Sequence, residues 1–199
     1  TRDGSLDRGL VSAAQFETRL KHLEAMRKDF CLRVTGGGAC LGFSLDRENE
    51  ANLRLIRAAK KGKLEKIRKF VQMGADVNFI NEEHQCAILK AAECGHKDAV
   101  DLLAVLGADM NFTDKRRSSI LHYAAYNGHT HTVETIAKNA SWLVNASNNF
   151  GYTPLQYAAA DGRVKTVIKL LQLGADVNHH DKMQWTALHR AAAGGHIET

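Results

Sequence analysis

Three observations predict an all-α solenoid of stacked helix-turn-helix units with short hairpin loops. Alanine pairs recur at 58–59, 91–92, 124–125, 158–159 and 191–192, so the gaps are 33, 33, 34 and 33 residues. A glycine stands three positions after the second alanine every time, as Gly62, Gly95, Gly128, Gly162 and Gly195. Between these marks apolar residues fall at spacings of three and four, as in Val164, Val167, Ile168, Leu170 and Leu171. A helix pair of this size cannot bury its apolar face alone, so neighbouring units must stack. Four complete units result, at 48–80, 81–113, 114–147 and 148–180. A fifth, 181–199, lacks its second helix.

The elements follow in order along the fourth unit. Thr153 precedes Pro154, whose fixed φ suits a first helical turn and whose missing N–H is not needed there. Ala158 and Ala159 are small enough for close helix packing, and Gly162 permits the tight turn into the second helix. Gly174 ends that helix. Gly-Ala-Asp-x-Asn recurs at 74–78, 107–111 and 174–178, where Asp76, Asp109 and Asp176 are expected to bond their own backbone. The missing copy lies at Ala140–Asn145, where one extra residue accounts for the gap of 34.

The first unit departs from this pattern. Between Arg54 and Asp76 stand eight basic residues against two acids, and Lys60, Lys61, Lys63 and Lys66 form the densest part. A solvated terminal repeat explains such a run, and a basic patch for nucleic acid or anionic lipid is the alternative. The second unit has six acids against two lysines, and this alternation argues against a continuous nucleic-acid groove. Residues 1–47 read as a leader. Ser12 and Gln15 form a capping box, Val11 and Phe16 a hydrophobic staple, and the pattern predicts one amphipathic helix over about 13–33. Gly36, Gly37 and Gly38 then form a linker, since they match no phosphate-binding loop.

Composition bounds the function. Of 199 residues, 44% are hydrophobic and 25% charged, which excludes wholesale disorder. No apolar run approaches the roughly 18 residues needed to span a bilayer, and the first residues lack the apolar core of a signal peptide. Cys31, Cys40, Cys86 and Cys94 match no zinc spacing, so reduced thiols in a cytoplasmic or nuclear protein are expected. No nucleophile elbow, zinc-helix motif or phosphate loop appears, so no catalytic residue, cofactor or metal is assigned. The chain lacks an initiator Met and stops at Thr199 inside the recurring pattern, which predicts a fragment of something longer.

The lead-in to the alanine pair is Thr153-Pro154-Leu155-Gln156, Thr186-Ala187-Leu188-His189 and Ser119-Ile120-Leu121-His122, decayed in the second unit to Cys86-Ala87-Ile88-Leu89. His follows the glycine as His96, His129 and His196. A 33-residue period with this lead-in, Gly-His and Gly-Ala-Asp-x-Asn resembles the ankyrin repeat over about residues 48–199. The resemblance implies structural hydrogen-bonding roles for His96, His129, His196, His122 and His189. It also resembles asparaginyl hydroxylase substrates around Asn111 and Asn178, where an Asn bonding within its own turn is explanation enough.

The same resemblance implies a concave binding surface made of loop tips and the open side of the first helices. Carried over by position, the partner-binding set is Glu82, Glu83, Lys115, Arg116, Tyr123, Tyr126, Phe150, Tyr152, Tyr157, Met183, Trp185 and Arg190. Tyr, Trp, Met and Arg are the types enriched at interface cores. The expected function is a non-catalytic scaffold or adaptor binding a protein partner. The alternatives are a targeting module of a larger enzyme or channel continuing beyond residue 199, or a basic-patch binder of nucleic acid or anionic lipid. Lys115-Arg116-Arg117-Ser118-Ser119 resembles a basophilic kinase site, with Ser118 the more exposed hydroxyl and Ser119 a helix cap, although a solvated loop tip explains so common a string without a phosphate.

Overall fold

Paired alanines set how closely the helices approach. Those at 58–59, 91–92, 124–125 and 158–159 are all buried. The computed structural model describes residues 43–199, with side chains from residue 49 onward. Its helices are α1 (Phe43–Lys60), α2 (Leu64–Gln72), α3 (Ala87–Glu93), α4 (Lys97–Val105), α5 (Ile120–Tyr126), α6 (Thr130–Asn139), a 3-10 turn (Ser141–Asn145), α7 (Pro154–Ala160), α8 (Val164–Gln172) and α9 (Ala187–Ala193). First helices stack as α3, α5, α7 and α9, and second helices as α2, α4, α6 and α8. Leu55, Ile67, Ile88, Leu103, Ile120, Leu121, Ile136, Leu155 and Leu170 fill the space between the rows. No helix among the described residues is long and apolar enough to cross a membrane.

The first helix differs from its expected limits. It begins at Phe43, five residues before the boundary placed at 48, and has 18 residues where α3, α5, α7 and α9 have seven. No Gly or Pro stands between Phe43 and Lys60 to stop it. The helix predicted over 13–33 and the glycine linker lie outside the described residues.

The cap expected at Ser119 is present, and Thr153 and Thr186 form caps of the same kind. Thr153 Oγ1 accepts the Gln156 N–H at 3.4 Å, and Gln156 Oε1 accepts the Thr153 N–H at 3.0 Å. Ser119 with His122, and Thr186 with His189, form the same reciprocal pair. The turn aspartates behave as predicted: Asp76, Asp109 and Asp176 accept the N–H two residues on.

The reading of Asn111 as bonding within its own turn requires a correction, because turn asparagine side chains bridge units. Asn78 Oδ1 accepts the Asp109 N–H at 2.8 Å and its Nδ2 donates to the Gly107 carbonyl at 3.1 Å. Asn145 does the same to Asp176 and Gly174. The Asp already serves its own turn, so the Asn is released to serve the next. Asn111, facing the irregular segment, instead accepts the Trp142 indole N–H at 2.9 Å. In the first unit Asn52 of α1 takes the part of a preceding turn, accepting the Asp76 N–H at 2.7 Å.

Histidines tie each unit to the one before. His96 Nε2 donates to the Lys60 carbonyl at 3.0 Å, His129 to Glu93 at 3.0 Å and His196 to Ala160 at 3.1 Å. A carbonyl only accepts, so Nε2 carries the hydrogen. The rings lie so close that a Cβ on Gly62, Gly95 or Gly162, all at positive φ, would sit 2.6–2.7 Å from the ring nitrogen. Arg163 replaces the histidine in unit four, donating from Nε to the Tyr126 carbonyl at 3.1 Å and lying over Gly128.

The loop tips turn through one left-handed residue each. His84, Arg117 and Gln184 have φ near 60°, and Gly151 occupies the corresponding place at 81°. An L side chain is strained there and glycine is not. Gln184→Gly is expected to raise stability by about 0.5–1 kcal/mol. A higher urea midpoint at unchanged slope would show it, and an unchanged midpoint would refute it.

Candidate protein-docking surface

A recurring Asx anchor positions each loop against a first helix. Asp114 Oδ1 accepts the N–H groups of Arg116 and Ser118 at 2.8 and 2.7 Å. Asn148 Oδ1 does this for Phe150 and Tyr152, and Asp181 Oδ1 for Met183 and Trp185, all at 2.8–3.0 Å. The other side-chain atom grips the residue nine positions on. The Tyr123 hydroxyl donates to Asp114 Oδ2 at 2.8 Å. Asn148 Nδ2 donates to the Tyr157 hydroxyl oxygen at 3.2 Å. Arg190 donates to Asp181 Oδ2 from Nε at 2.9 Å and also from Nη2. In unit two Asn81 accepts the Gln85 N–H, while Lys90 pairs with Glu93.

Electrostatics follow from these partners. Burial would push the Asp181 carboxyl up, but Arg190 and the N–H groups of Trp185 and Met183 outweigh it and hold it low. Burial and then the bond to Asp114 push the Tyr123 phenol up, so it stays a neutral donor. His122 is buried, which lowers it from 6.5 to about 4. The Ser119 N–H donates to His122 Nδ1 at 3.1 Å, so Nε2 carries the hydrogen and donates to the Tyr152 carbonyl at 2.8 Å. Gln156 serves unit four in the same way, donating to the Trp185 carbonyl at 2.7 Å.

On this frame the aromatic residues of units three to five meet. Tyr157 makes edge contacts with Tyr126, Tyr152 and His122, at centroid distances of 5.9, 5.8 and 5.6 Å. Phe150 lies against Tyr152. The Arg190 guanidinium stands 4.4 Å from the Tyr152 ring centre and 4.7 Å from that of Trp185, a cation–π arrangement. Tyr126, Phe150 and Met183 are 45%, 48% and 64% exposed. Tyr123, Tyr152, Tyr157, Trp185 and Arg190 are half-buried and support them. A cleft of about 330 Å³ opens between Arg116, Tyr123, Tyr126 and Tyr157. A second, of about 190 Å³, adjoins Glu83, Lys115, Arg116 and Tyr123. Glu82 is exposed but lines neither.

Other expected positions resolve differently. Ser118 is 3% exposed, and its hydroxyl accepts from Asn148 Nδ2 at 3.2 Å. The reading of Ser118 as an exposed phosphorylation site is therefore corrected: the anchor at Asp114 draws its N–H inward and the next unit covers its hydroxyl. Lys60, Lys61, Lys63 and Lys66 are exposed and form no ion pair among the described residues. The described residues contain no group of three or more His, Cys, Asp or Glu arranged to hold a metal ion. Burial pushes the Cys86 thiol up to about 11, which leaves it protonated at neutral pH. Sequence reasoning missed Asn148 and Asp181 as anchors, and Asp114 with them. The available signal was an Asx nine residues before each gripped side chain.

Comparison with known proteins agrees with this architecture. The chain matches a family model described as ankyrin repeats (3 copies) over residues 55–145, 91–181 and 139–199. Over 60 residues it is 45% identical to inversin of Gallus gallus, covering 30% of this chain and 5% of that protein. Over 58 residues it is 38% identical to the Notch-regulated ankyrin repeat-containing protein of Homo sapiens, covering 29% of this chain and 51% of that one. Notch-regulated ankyrin repeat-containing protein A of Danio rerio gives 38% over 58 residues, 29% and 52%. The match thus spans about half the length of the Notch-regulated relatives and a small part of inversin. With the family model reaching from residue 55 to 199 and the inter-unit histidine, asparagine and glycine contacts in place, the chain belongs to the ankyrin repeat family.

Proposed function

We propose that this chain is a non-catalytic scaffold or adaptor that recruits a protein partner through the loop-and-first-helix face of units three to five. Ankyrin repeats are generally protein–protein interaction modules. The observation that carries the reading here is the continuous aromatic cluster whose outer rings, Tyr126 and Phe150, remain exposed, with Met183 exposed on the next loop. Exposed aromatic and Met side chains on a rigid support suit an interface core. The free thiols Cys86 and Cys94 support a cytoplasmic or nuclear setting. A docking face of this kind would serve equally as the targeting part of a larger enzyme or channel.

The test is a pull-down from cell lysate with mass spectrometry. Wild type runs beside Tyr126→Ala/Phe150→Ala/Met183→Ala, all three chosen for exposure, with circular dichroism confirming the fold of both. Prey captured by wild type and lost from the triple variant is the expected result. Prey retained by it sinks the proposal. The basic first unit supports a second reading, since its lysines are exposed and without ion pairs among the described residues. Lys60, Lys61, Lys63 and Lys66 changed together to Glu would then abolish binding that weakens steeply with salt.

A further inference from the structure

The cleft between units three and four has an unbalanced hydrogen-bonding inventory. Asp114 spends Oδ1 on two backbone N–H groups and Oδ2 on the Tyr123 hydroxyl. Both ring nitrogens of His122 are engaged. The Tyr157 hydroxyl accepts from Asn148, so its own hydrogen remains unspent. The Tyr126 hydroxyl has no hydrogen-bond partner among the described residues, and its ring is 45% exposed. Arg116 lines the cleft, is exposed, and forms no ion pair among the described residues. Lys115 and Arg117 flank it and are likewise exposed and unpaired among those residues. Glu83 lines the neighbouring cleft with Arg116 and does not pair with it.

The site therefore offers donors and a guanidinium beside aromatic walls, while its own carboxylate is already committed. A ligand group that only accepts hydrogen bonds and carries negative charge completes it, and an ionised carboxylate is that group. The walls add apolar surface next to the charge. We propose that this cleft recognises a linear acidic peptide segment of the partner, placing an Asp or Glu carboxylate at Arg116 and an adjacent apolar side chain against Tyr126 and Tyr157. The proposal rests on the docking-face reading above and adds the chemistry of what docks.

The Arg116 side chain is open to substitution because its part in the fold is backbone only. Its N–H donates to Asp114 and its carbonyl accepts from Asn149. A library of random linear peptides displayed on phage is panned against the full chain at physiological salt, and enriched peptides are titrated by fluorescence anisotropy. Enrichment of Asp or Glu next to an aromatic or large aliphatic residue is expected. Arg116→Glu should weaken those peptides about tenfold or more, the scale of a lost hydrogen bond to a charged group. Arg116→Gln should weaken them less, and Tyr126→Ala should weaken them independently.

Peptides that need Tyr126 but show no acid preference, or that bind Arg116→Glu equally well, overturn the acidic requirement and leave the docking face standing. Binding indifferent to both positions, or no enrichment at all, overturns the proposal, and the pull-down with the Tyr126, Phe150 and Met183 variant decides separately whether the face stands. Matching thermal melts of the variants and wild type exclude unfolding as the cause.

Discussion

Between pH 7 and pH 4 the folded chain is expected to lose about 3 kcal/mol of stability through His122 alone, and His122→Gln is expected to remove most of that loss. His122 Nδ1 is committed as an acceptor of the Ser119 N–H and Nε2 as a donor to the Tyr152 carbonyl. A proton added at Nδ1 would face the Ser119 N–H donor and lose that bond, with only the Ser119 hydroxyl oxygen at 2.8 Å left to accept it. Burial accordingly lowers the group to about 4 from its ordinary 6.5. Above 6.5 both folded and unfolded chains hold His122 neutral, and nothing is lost. As pH falls from 6.5 toward 4 the unfolded chain takes up a proton that the folded chain refuses, so stability declines with pH across that window. Below about 4 both states are protonated and the decline from this residue stops. Gln is the informative replacement because Gln156 already performs both hydrogen bonds at the corresponding place in unit four. Urea unfolding at a series of pH values should show a shallower acid limb for His122→Gln than for wild type. Identical limbs would remove His122 from the account of acid sensitivity.

Asp181→Ala carries the second large effect, a loss of about 3 kcal/mol. Its carboxylate is buried and serves four donors: two backbone N–H groups that shape the loop and two from Arg190. Removing it leaves the loop amides without their acceptor and frees the guanidinium held between Tyr152 and Trp185. Asp181→Asn should cost less. Asn148 shows that an amide oxygen can shape the same loop, so the loop amides keep their acceptor, while the ion pair and both hydrogen bonds from Arg190 are given up and Nδ2 is left facing the guanidinium. Urea midpoints rank the three proteins. Alanine and asparagine variants of equal stability would mean the ion pair, and not the loop amides, carries the effect.

Much of the fold was legible because a repeat writes its own register. The alanine pairs, the glycines and the turn aspartates each have a local cause, and each stands where its spacing places it. What lay beyond reading is set by the neighbouring unit. Arg163 does the work of His129 and His196 from a position with no histidine to mark it. Asn111 was read as bonding within its own turn, yet its side-chain partner Trp142 lies 31 residues away. Ser118 looked exposed beside three basic residues, yet its burial depends on Asn148 in the next unit. The aromatic set was legible as a group, but its division into exposed tips and half-buried supports was not. Tyr123 owes its position to Asp114, nine residues upstream, a spacing that recurs with Tyr157 and Arg190 but with a different side chain gripped each time.

The anchored loops have a consequence for how recognition can change. Asp114, Asn148 and Asp181 hold their loops by the same two backbone N–H groups, two and four residues on, and Asn81 by the second of these. The tips they carry differ: Glu82 and Glu83, then Lys115 to Arg117, then Asn149 and Phe150, then Lys182 and Met183. Course and content are thus separate properties of each loop. A tip can be rewritten from acidic to basic to aromatic without disturbing the bonds that set its path. The face behaves as an alphabet of exchangeable characters on a fixed line, and a new partner would require new spelling, not a new fold.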